Sequence, residues 1–481
     1  TTEIYTLSLH DALPISRSGP LALALAEAAL PADDARRDPY APSLELHVRV
    51  DERAAGFLAL GLARAAAARG EPRPVAVVTT SGSAPAHLLP AALEARHSGL
   101  PLLLLTADRP HELRGTGANQ TTDQLALLSP AVRLAIDVPA PDGRAEEHRD
   151  VRNVLSRAAA AALGTRDHSP GPVQVNLAYR EPLVPGAGWP EPSTAGLSLV
   201  TAHPGTPAGD KLAAYSDISL RSAPPDGVRT VVVAGDGAGP EASVVAHAND
   251  WPLLAEPSSG AAGGANAIPA YRLLLADARL GGAVQRAVVF GRPTISRPVA
   301  ALLARPDVEV VVVAGASREW TDPARHAARV LPGVPGELLR GNLGAGLGWV
   351  EAWRVAGRAA GRGVAAVIEA APGPTGPLVA GLLAGALGPQ DVLVVGASNP
   401  IRDLDPVAAW DEPPLVVANR GLSGIDGTIG TAAGLALGLD RPVRAYLGDL
   451  TFLHDVGSFL VGPQERRPDL QVIVANDGGG S

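Results

Sequence analysis

Short runs of valine, leucine and isoleucine alternate along the chain with longer alanine-rich stretches, and each run stops at Gly, Pro, Asp or Asn. In the first third this pattern predicts strands over residues 46–50, 74–79, 102–106 and 173–176, with helices over 53–69, 85–96 and 147–163. Continuous apolar strands separated by helical stretches are the mark of a parallel sheet covered on both faces. A Pro/Gly-rich stretch over 182–227 reads as linker. A second unit follows with strands over 230–234, 287–290 and 308–313, and a third with strands over 392–395, 415–418, 443–447 and 472–475, joined by a linker around 361–376. No short-period repeat is present. The expected fold is α/β, built as three doubly wound parallel-sheet domains over 17–185, 229–365 and 366–481, with 186–228 as linker and 1–16 as a leader of foreign origin.

Composition narrows the chemistry. A chain of 481 residues exceeds what one core accommodates and suits about three domains. Apolar residues make up 46% but aromatics only 3%, so layers must pack through small side chains at close approach. The net charge of −9 and the absence of a basic run argue against a nucleic-acid surface, leaving small molecules as the expected partners. Without cysteine there are no disulfides, thiolate nucleophiles or zinc-thiolate sites. Apolar runs such as 102–105 and 308–314 fall far short of the roughly 20 residues of a membrane span, so a cytoplasmic protein is expected. The eleven histidines show no metal-ligand spacing.

Two features point to a site. Gly448-Asp449-Leu450 closes one apolar strand, and Asn476-Asp477-Gly478 follows another 27 residues on, counted from Asp449 to Asn476. That interval suits one crossover between neighbouring parallel strands, which brings both clusters to the same sheet edge. A carboxylate, an amide oxygen and a turn carbonyl would form a hard-oxygen set suited to Mg²⁺ beside a diphosphate; two ordinary strand ends with turn residues is the alternative. Glu52 lies where strand 46–50 passes into a helix, at the carboxyl end at which open parallel sheets place ligands. The helix dipole alone also favours an acid there. The Gly235-Asp236-Gly237-Ala238-Gly239 turn reads as a structural tight turn rather than a phosphate loop.

Several segments together resemble the family of 2-succinyl-5-enolpyruvyl-6-hydroxy-3-cyclohexene-1-carboxylate (SEPHCHC) synthases, thiamine-diphosphate (ThDP) enzymes of menaquinone biosynthesis. They are Asp51-Glu52-Arg53-Ala54-Ala55-Gly56, Thr79-Thr80-Ser81-Gly82-Ser83, the block from Asp108-Arg109-Pro110 to Asn119-Gln120, Asn419-Arg420-Gly421 with Ser423-Gly424-Ile425-Asp426-Gly427, and Gly448-Asp449-Leu450. The resemblance covers residues 17–481 and implies a pyrimidine domain, a central domain and a diphosphate domain. It implies decarboxylation of 2-oxoglutarate and addition of the succinyl-semialdehyde carbanion to isochorismate. Glu52 would be the catalytic acid that shares a proton with the aminopyrimidine ring of the cofactor, which itself supplies the carbon nucleophile. Ser81, Gly82, Ser83, Ser398, Ile425, Gly448, Asp449, Leu450 and Asn476 would hold ThDP, with Ile425 under its two rings. Asp449, Asn476 and the Gly478 carbonyl would bind Mg²⁺, or Mn²⁺ in its place.

Both substrates are polyanions, and planar guanidinium forks suit carboxylates. By resemblance Arg17, Arg109, Arg297, Arg402 and Arg420 bind them, assisted by Asn119 and Gln120. The family's active site joins the Glu-bearing domain of one subunit to the diphosphate domain of another, which implies a homodimer or homotetramer. The chain departs from the family at Pro14-Ile15, where Pro-Gly is usual, and it stops at Ser481, so it reads as truncated at both ends. Another ThDP-dependent 2-oxo acid decarboxylase or acetolactate-type synthase is the neighbouring alternative, disfavoured by the arginine set. A nucleotide-binding protein of Rossmann-like units and a non-catalytic fragment are the others.

Overall fold

The computed structural model describes residues 3–8 (backbone only), 16–184, 188–202, 227–314, 319–341, 343, 348–463 and 465–479. Fifteen strands form three parallel sheets among these residues. The first holds β1 (Glu3–Ser8), β2 (Leu44–Arg49), β3 (Val75–Thr79), β4 (Leu102–Asp108), β5 (Leu134–Val138) and β6 (Val173–Ala178), in the order β2-β1-β3-β4-β6-β5. The second holds β7 (Thr230–Ala234), β8 (Leu253–Ala255), β9 (Arg286–Phe290), β10 (Glu309–Val313) and β11 (Ala327–Leu331), in the order β11-β10-β9-β7-β8. The third holds β12 (Val392–Val395), β13 (Leu415–Val417), β14 (Val443–Gly448) and β15 (Leu470–Ala475), in the order β13-β12-β14-β15.

Contacts group the chain into two compact units. One comprises Thr1–His203, Asn419–Ala445 and Leu450–Val472; the other comprises Pro204–Ala418, Tyr446–Asp449 and Ile473–Ser481. In the first unit β3 is buried along its whole length, and so is β7 in the second, as expected of strands covered on both faces. Residues 3–8, within the segment expected to be a leader of foreign origin, form a strand paired in parallel with both β2 and β3. One expectation needs correction. The expected linker at 361–376 is instead occupied as far as Glu369 by a helix, Trp349–Glu369. Earlier in the same helix Gly357 is kept small for contact, since a Cβ there would lie 2.8 Å from Ile268 Cγ2, whereas Gly363 has open space. Of the longer linker over 182–227, residues 185–187 and 203–226 lie outside the described residues.

The helix Glu52–Ala68 shows how alanine and glycine build the first unit. Asp51 caps it by accepting a hydrogen bond from Arg53 N at 2.8 Å. Burial runs almost all round it, from Ala54 through Ala63 and on to Ala65 and Ala66, the signature of a helix enclosed on several sides. One neighbour is the helix Thr428–Leu439. A Cβ on Gly61 would lie 2.2 Å from the Thr431 carbonyl oxygen, and one on Gly434 would lie 2.2 Å from the Leu58 carbonyl oxygen. Because the obstacle is backbone, no rotamer change relieves it. Gly61→Val should therefore cost about 3 kcal/mol, the upper end of the usual overpacking range. At about 2–4 °C per kcal/mol for a unit of this size, its thermal unfolding should begin roughly 6–12 °C lower, which calorimetry can read.

Candidate functional site

The first unit gathers polar side chains at the carboxyl ends of β3, β4 and β6, which are neighbours in the sheet. Ser81 follows β3, Arg109 follows β4 and Tyr179 follows β6. The Arg109 guanidinium donates to Ser81 Oγ and, at 3.3 Å, to Gln120 Oε1. Gly82, at φ +88°, makes the turn that brings the Ser81 loop against Gln120. Arg17 donates to the Tyr179 carbonyl at 3.0 Å and approaches the Glu181 carboxylate at 3.6 Å. Arg17 is 8% exposed and Arg109 7% exposed, an unusual degree of burial for two like charges. Burial, and then repulsion from Arg17, lowers the Arg109 pKa below its ordinary value, with Asp108 and Glu181 opposing the shift. An anionic ligand would relieve that repulsion. Ser83 and Asn119 are exposed and make no side-chain bond to this cluster.

Behind Arg109 lies a buried network absent from the sequence-based expectations. Gln124 Oε1 accepts from Gly82 N at 2.8 Å, and Gln124 Nε2 donates to the Ala107 carbonyl at 3.0 Å and to Asn176 Oδ1 at 2.9 Å. Asn176 Nδ2 donates to Asp108 Oδ2 at 2.9 Å, and Asp108 Oδ1 accepts from Arg109 N at 2.7 Å. The turn carrying Ser81 and the strand end carrying Arg109 are thus fixed to each other. A signal existed: Thr106, Gln174 and Asn176 are polar residues inside otherwise apolar strands. A cleft of about 530 Å³ opens beside the network, lined by Asp108, Arg114, Gly117, Thr122, Gln124 and Asn176 among others.

Glu52 opens the helix that follows β2 and is 9% exposed. Among the described residues nothing hydrogen-bonds its carboxylate. Its oxygens are not among the buried polar atoms that lack a partner, so they reach solvent from an otherwise covered side chain. An acid so placed at a strand's carboxyl end is open to a ligand carrying a complementary ring nitrogen. The loop after β13 belongs to the same unit. Arg420 on it is 2% exposed, Asn419 donates to Thr431 Oγ1 at 3.1 Å, and Ile425 is half-buried. Glu94, also unanticipated, accepts from Gly421 N at 2.8 Å and Leu422 N at 2.9 Å, and pairs with Arg64 at 3.3 Å. It is a charged residue on a largely apolar helix face, 4% exposed, which was its only trace in the sequence.

In the second unit Asp449 and the Asn476–Gly478 turn follow β14 and β15, adjacent strands of the third sheet. Asn476 Oδ1 accepts from Gly478 N at 3.0 Å, which orients its amide, and Gly478 sits at φ +88° with open space where a Cβ would be. Among the described residues no group of three His, Asp or Glu could hold a metal ion. One carboxylate with neutral oxygens suits a divalent cation that arrives with a diphosphate, whose oxygens complete the shell. Gly448 and Asp449 are half-buried, whereas Leu450, in the first unit, is 47% exposed. Ser398 precedes the first turn of the short helix Asn399–Leu404 after β12 and Arg402 stands in its last turn, with Ser398 half-buried and Arg402 exposed. Arg297 begins the helix Arg297–Leu303 and is also exposed.

Residues 29–127 match the family model described as thiamine pyrophosphate enzyme, N-terminal TPP binding domain. Relatives extend the likeness to nearly the whole chain. Over 97% of its length the chain is 49% identical to the 2-succinyl-5-enolpyruvyl-6-hydroxy-3-cyclohexene-1-carboxylate synthase of Kineococcus radiotolerans, covering 80% of that protein. The proteins of the same name from Nocardioides sp. and Paenarthrobacter aurescens are 46% and 45% identical, each over 97% of this chain and 78% of their own length. A largely covered acid with no protein hydrogen bond at one strand end and paired buried arginines at others agree with that likeness, and the chain belongs to the SEPHCHC synthase family of thiamine-diphosphate-dependent enzymes.

Proposed function

We propose that the chain catalyses the ThDP- and Mg²⁺-dependent decarboxylation of 2-oxoglutarate and the transfer of the resulting succinyl-semialdehyde unit to isochorismate, giving SEPHCHC in menaquinone biosynthesis. The observation that carries this reading is the buried Arg17 and Arg109 pair beside Ser81 and Gln120, because two mutually repelling guanidinium groups suit a substrate with several carboxylates. Bound ThDP would supply the carbon nucleophile that no side chain here provides. Glu52 would hold a proton at the aminopyrimidine ring, and the apolar body of Ile425 would support the cofactor. Asp449, Asn476 and the Gly478 carbonyl would hold Mg²⁺ against the diphosphate, flanked by Gly448, Leu450 and Ser398. Ser81, Gly82 and Ser83 would line the cofactor's other end. Arg402, Arg420, Arg297, Asn119 and Gln120 would complete the substrate contacts.

The same reading makes the enzyme a cytoplasmic homodimer or homotetramer, with each site shared between two chains. An exposed apolar surface supports self-association: Leu450 is 47% exposed, Leu453 65%, Val456 50%, Phe459 43% and Leu460 59%. No described helix is long and apolar enough to cross a membrane. The test is product analysis by mass spectrometry after incubation with ThDP, Mg²⁺, 2-oxoglutarate and isochorismate. The adduct of the succinyl-semialdehyde unit with isochorismate is the expected product. Carbon dioxide release without that adduct would instead assign the chain to the simpler 2-oxo acid decarboxylases.

A further inference from the structure

The short helix Tyr271–Leu274 of the second unit ties down the helix that carries Ser398 and Arg402. Tyr271 OH donates to Asp405 Oδ1 at 2.9 Å. Arg272 forms an ion pair with Asp405 Oδ2 at 3.4 Å and donates from its other terminal nitrogen to the Arg402 carbonyl at 3.1 Å. Asp405 caps the C-terminal end of the helix Asn399–Leu404, so the two contacts by Arg272 span its last turn. The Tyr271–Leu274 helix also packs against Arg297–Leu303. One four-residue element therefore touches both segments bearing the two candidate substrate arginines of this unit, Arg297 and Arg402.

Burial indicates that this arrangement is built rather than incidental. Tyr271 is 2% exposed and Asp405 5% exposed, and a cavity of about 190 Å³ lies alongside, lined in part by both residues, Ile268 and Trp410. Burial pushes the Asp405 carboxyl up to about 6, while Arg272 and then the Tyr271 hydroxyl act to keep it ionised. Asp405 Oδ2 has no hydrogen bond and is compensated by the Arg272 charge, so removing Arg272 or Tyr271 would leave the buried carboxylate still less compensated, which favours movement of the helix end over retention of its position.

We propose that Tyr271 and Arg272 are positioning residues for substrate binding, acting through Asp405 and the Arg402 backbone to aim the Arg402 guanidinium at a carboxylate of the 2-oxo acid. This rests on the reading above that Arg402 contacts substrate. The helix itself is too short to hold a position by its own hydrogen bonds, and an exposed arginine side chain gains affinity for an anion only when its backbone is fixed.

Steady-state kinetics on the intact enzyme separates the possibilities. Arg272→Met keeps the aliphatic stem and removes both polar contacts; Tyr271→Phe removes one. Arg272→Met should raise KM for 2-oxoglutarate about tenfold, the scale of one charged hydrogen bond lost, with kcat within about threefold and KM for isochorismate unchanged. Tyr271→Phe should give a smaller change in the same direction, and Arg272→Lys should recover part of the loss. In an Arg402→Ala background Arg272→Met should add nothing further. If Arg402→Ala leaves KM unchanged, the substrate role of Arg402 fails. If Arg402→Ala raises KM but Arg272→Met does not, the positioning role alone is overturned. A fall in kcat and unfolding temperature without a change in KM would assign the contact to stability only.

Discussion

Glu52→Gln should lower turnover by about 10²–10⁴-fold, the usual contribution of a positioned acid or base, while leaving the fold intact. The change keeps the size of the side chain at a position only 9% exposed, and no described group bonds the carboxylate it replaces. The cap of the helix belongs to Asp51, not Glu52, so the helix start is undisturbed. Circular dichroism and unfolding temperature should match the parent chain, and ThDP should still bind. The informative contrast is with Asp51→Ala, which removes the cap and should cost about 1 kcal/mol of stability with far less effect on turnover. Retention of full activity by Glu52→Gln would show that the buried acid has only a structural part and would remove the basis for ThDP chemistry at this strand end.

Asp449→Ala should abolish the stabilisation that ThDP and Mg²⁺ together confer. A ligand present at a hundred times its dissociation constant stabilises the folded state by about 2.7 kcal/mol through mass action. Thermal shift measurements with and without cofactor read this directly and do not depend on turnover. Asp449 is the only carboxylate proposed to face the metal, so its loss leaves neutral oxygens alone. Asn476→Ala should weaken the shift without abolishing it, because its amide is one of several oxygen donors. Each variant's shift is read against its own unfolding temperature without cofactor, so a change in fold stability is kept apart from a change in binding. An undiminished shift in Asp449→Ala would show that the metal and diphosphate are held elsewhere.

Local pattern carried much of the fold. The expected strands over 74–79, 102–106, 230–234 and 392–395 fall on β3, β4, β7 and β12, because each is an uninterrupted run of apolar residues. The strands not foreseen are the short or weakly apolar ones. β8 has three residues, and β5 and β11 are partly exposed, so neither shows the continuous burial that made the others legible. The stretch from Gly361 reads as linker because Gly361 and Gly363 signal freedom, and no close neighbour explains either glycine; it is helical as the continuation of a helix anchored earlier by the buried Trp353 and by Gly357 against Ile268.

The ionic contacts were less accessible still. Arg49 is 2% exposed and bonds Glu465 at 2.7 Å, and His47 on the same face of β2 lies between Glu45 at 3.2 Å and Glu465 at 3.7 Å. Burial alone would lower the His47 pKa, but the two carboxylates outweigh it and raise it above the ordinary histidine value. Glu45 is two positions from His47 on the same strand face, but the choice of Glu465 by Arg49 and His47 cannot be read from spacing, since Glu465 is more than four hundred positions away in the chain. The Glu94 contact with Gly421 and Leu422 is of the same kind.

The sequence by itself determined the parallel α/β layers and the strand ends at which Glu52, Arg109 and Asp449 stand, because strand periodicity and turn chemistry are properties of a few consecutive residues. Only the tertiary structure decided that Arg17 and Arg109 are buried together whereas Arg297 and Arg402 remain exposed. Whether a guanidinium is solvated or enclosed depends on which distant groups neutralise and cover it, and that arrangement exists only once the chain has folded.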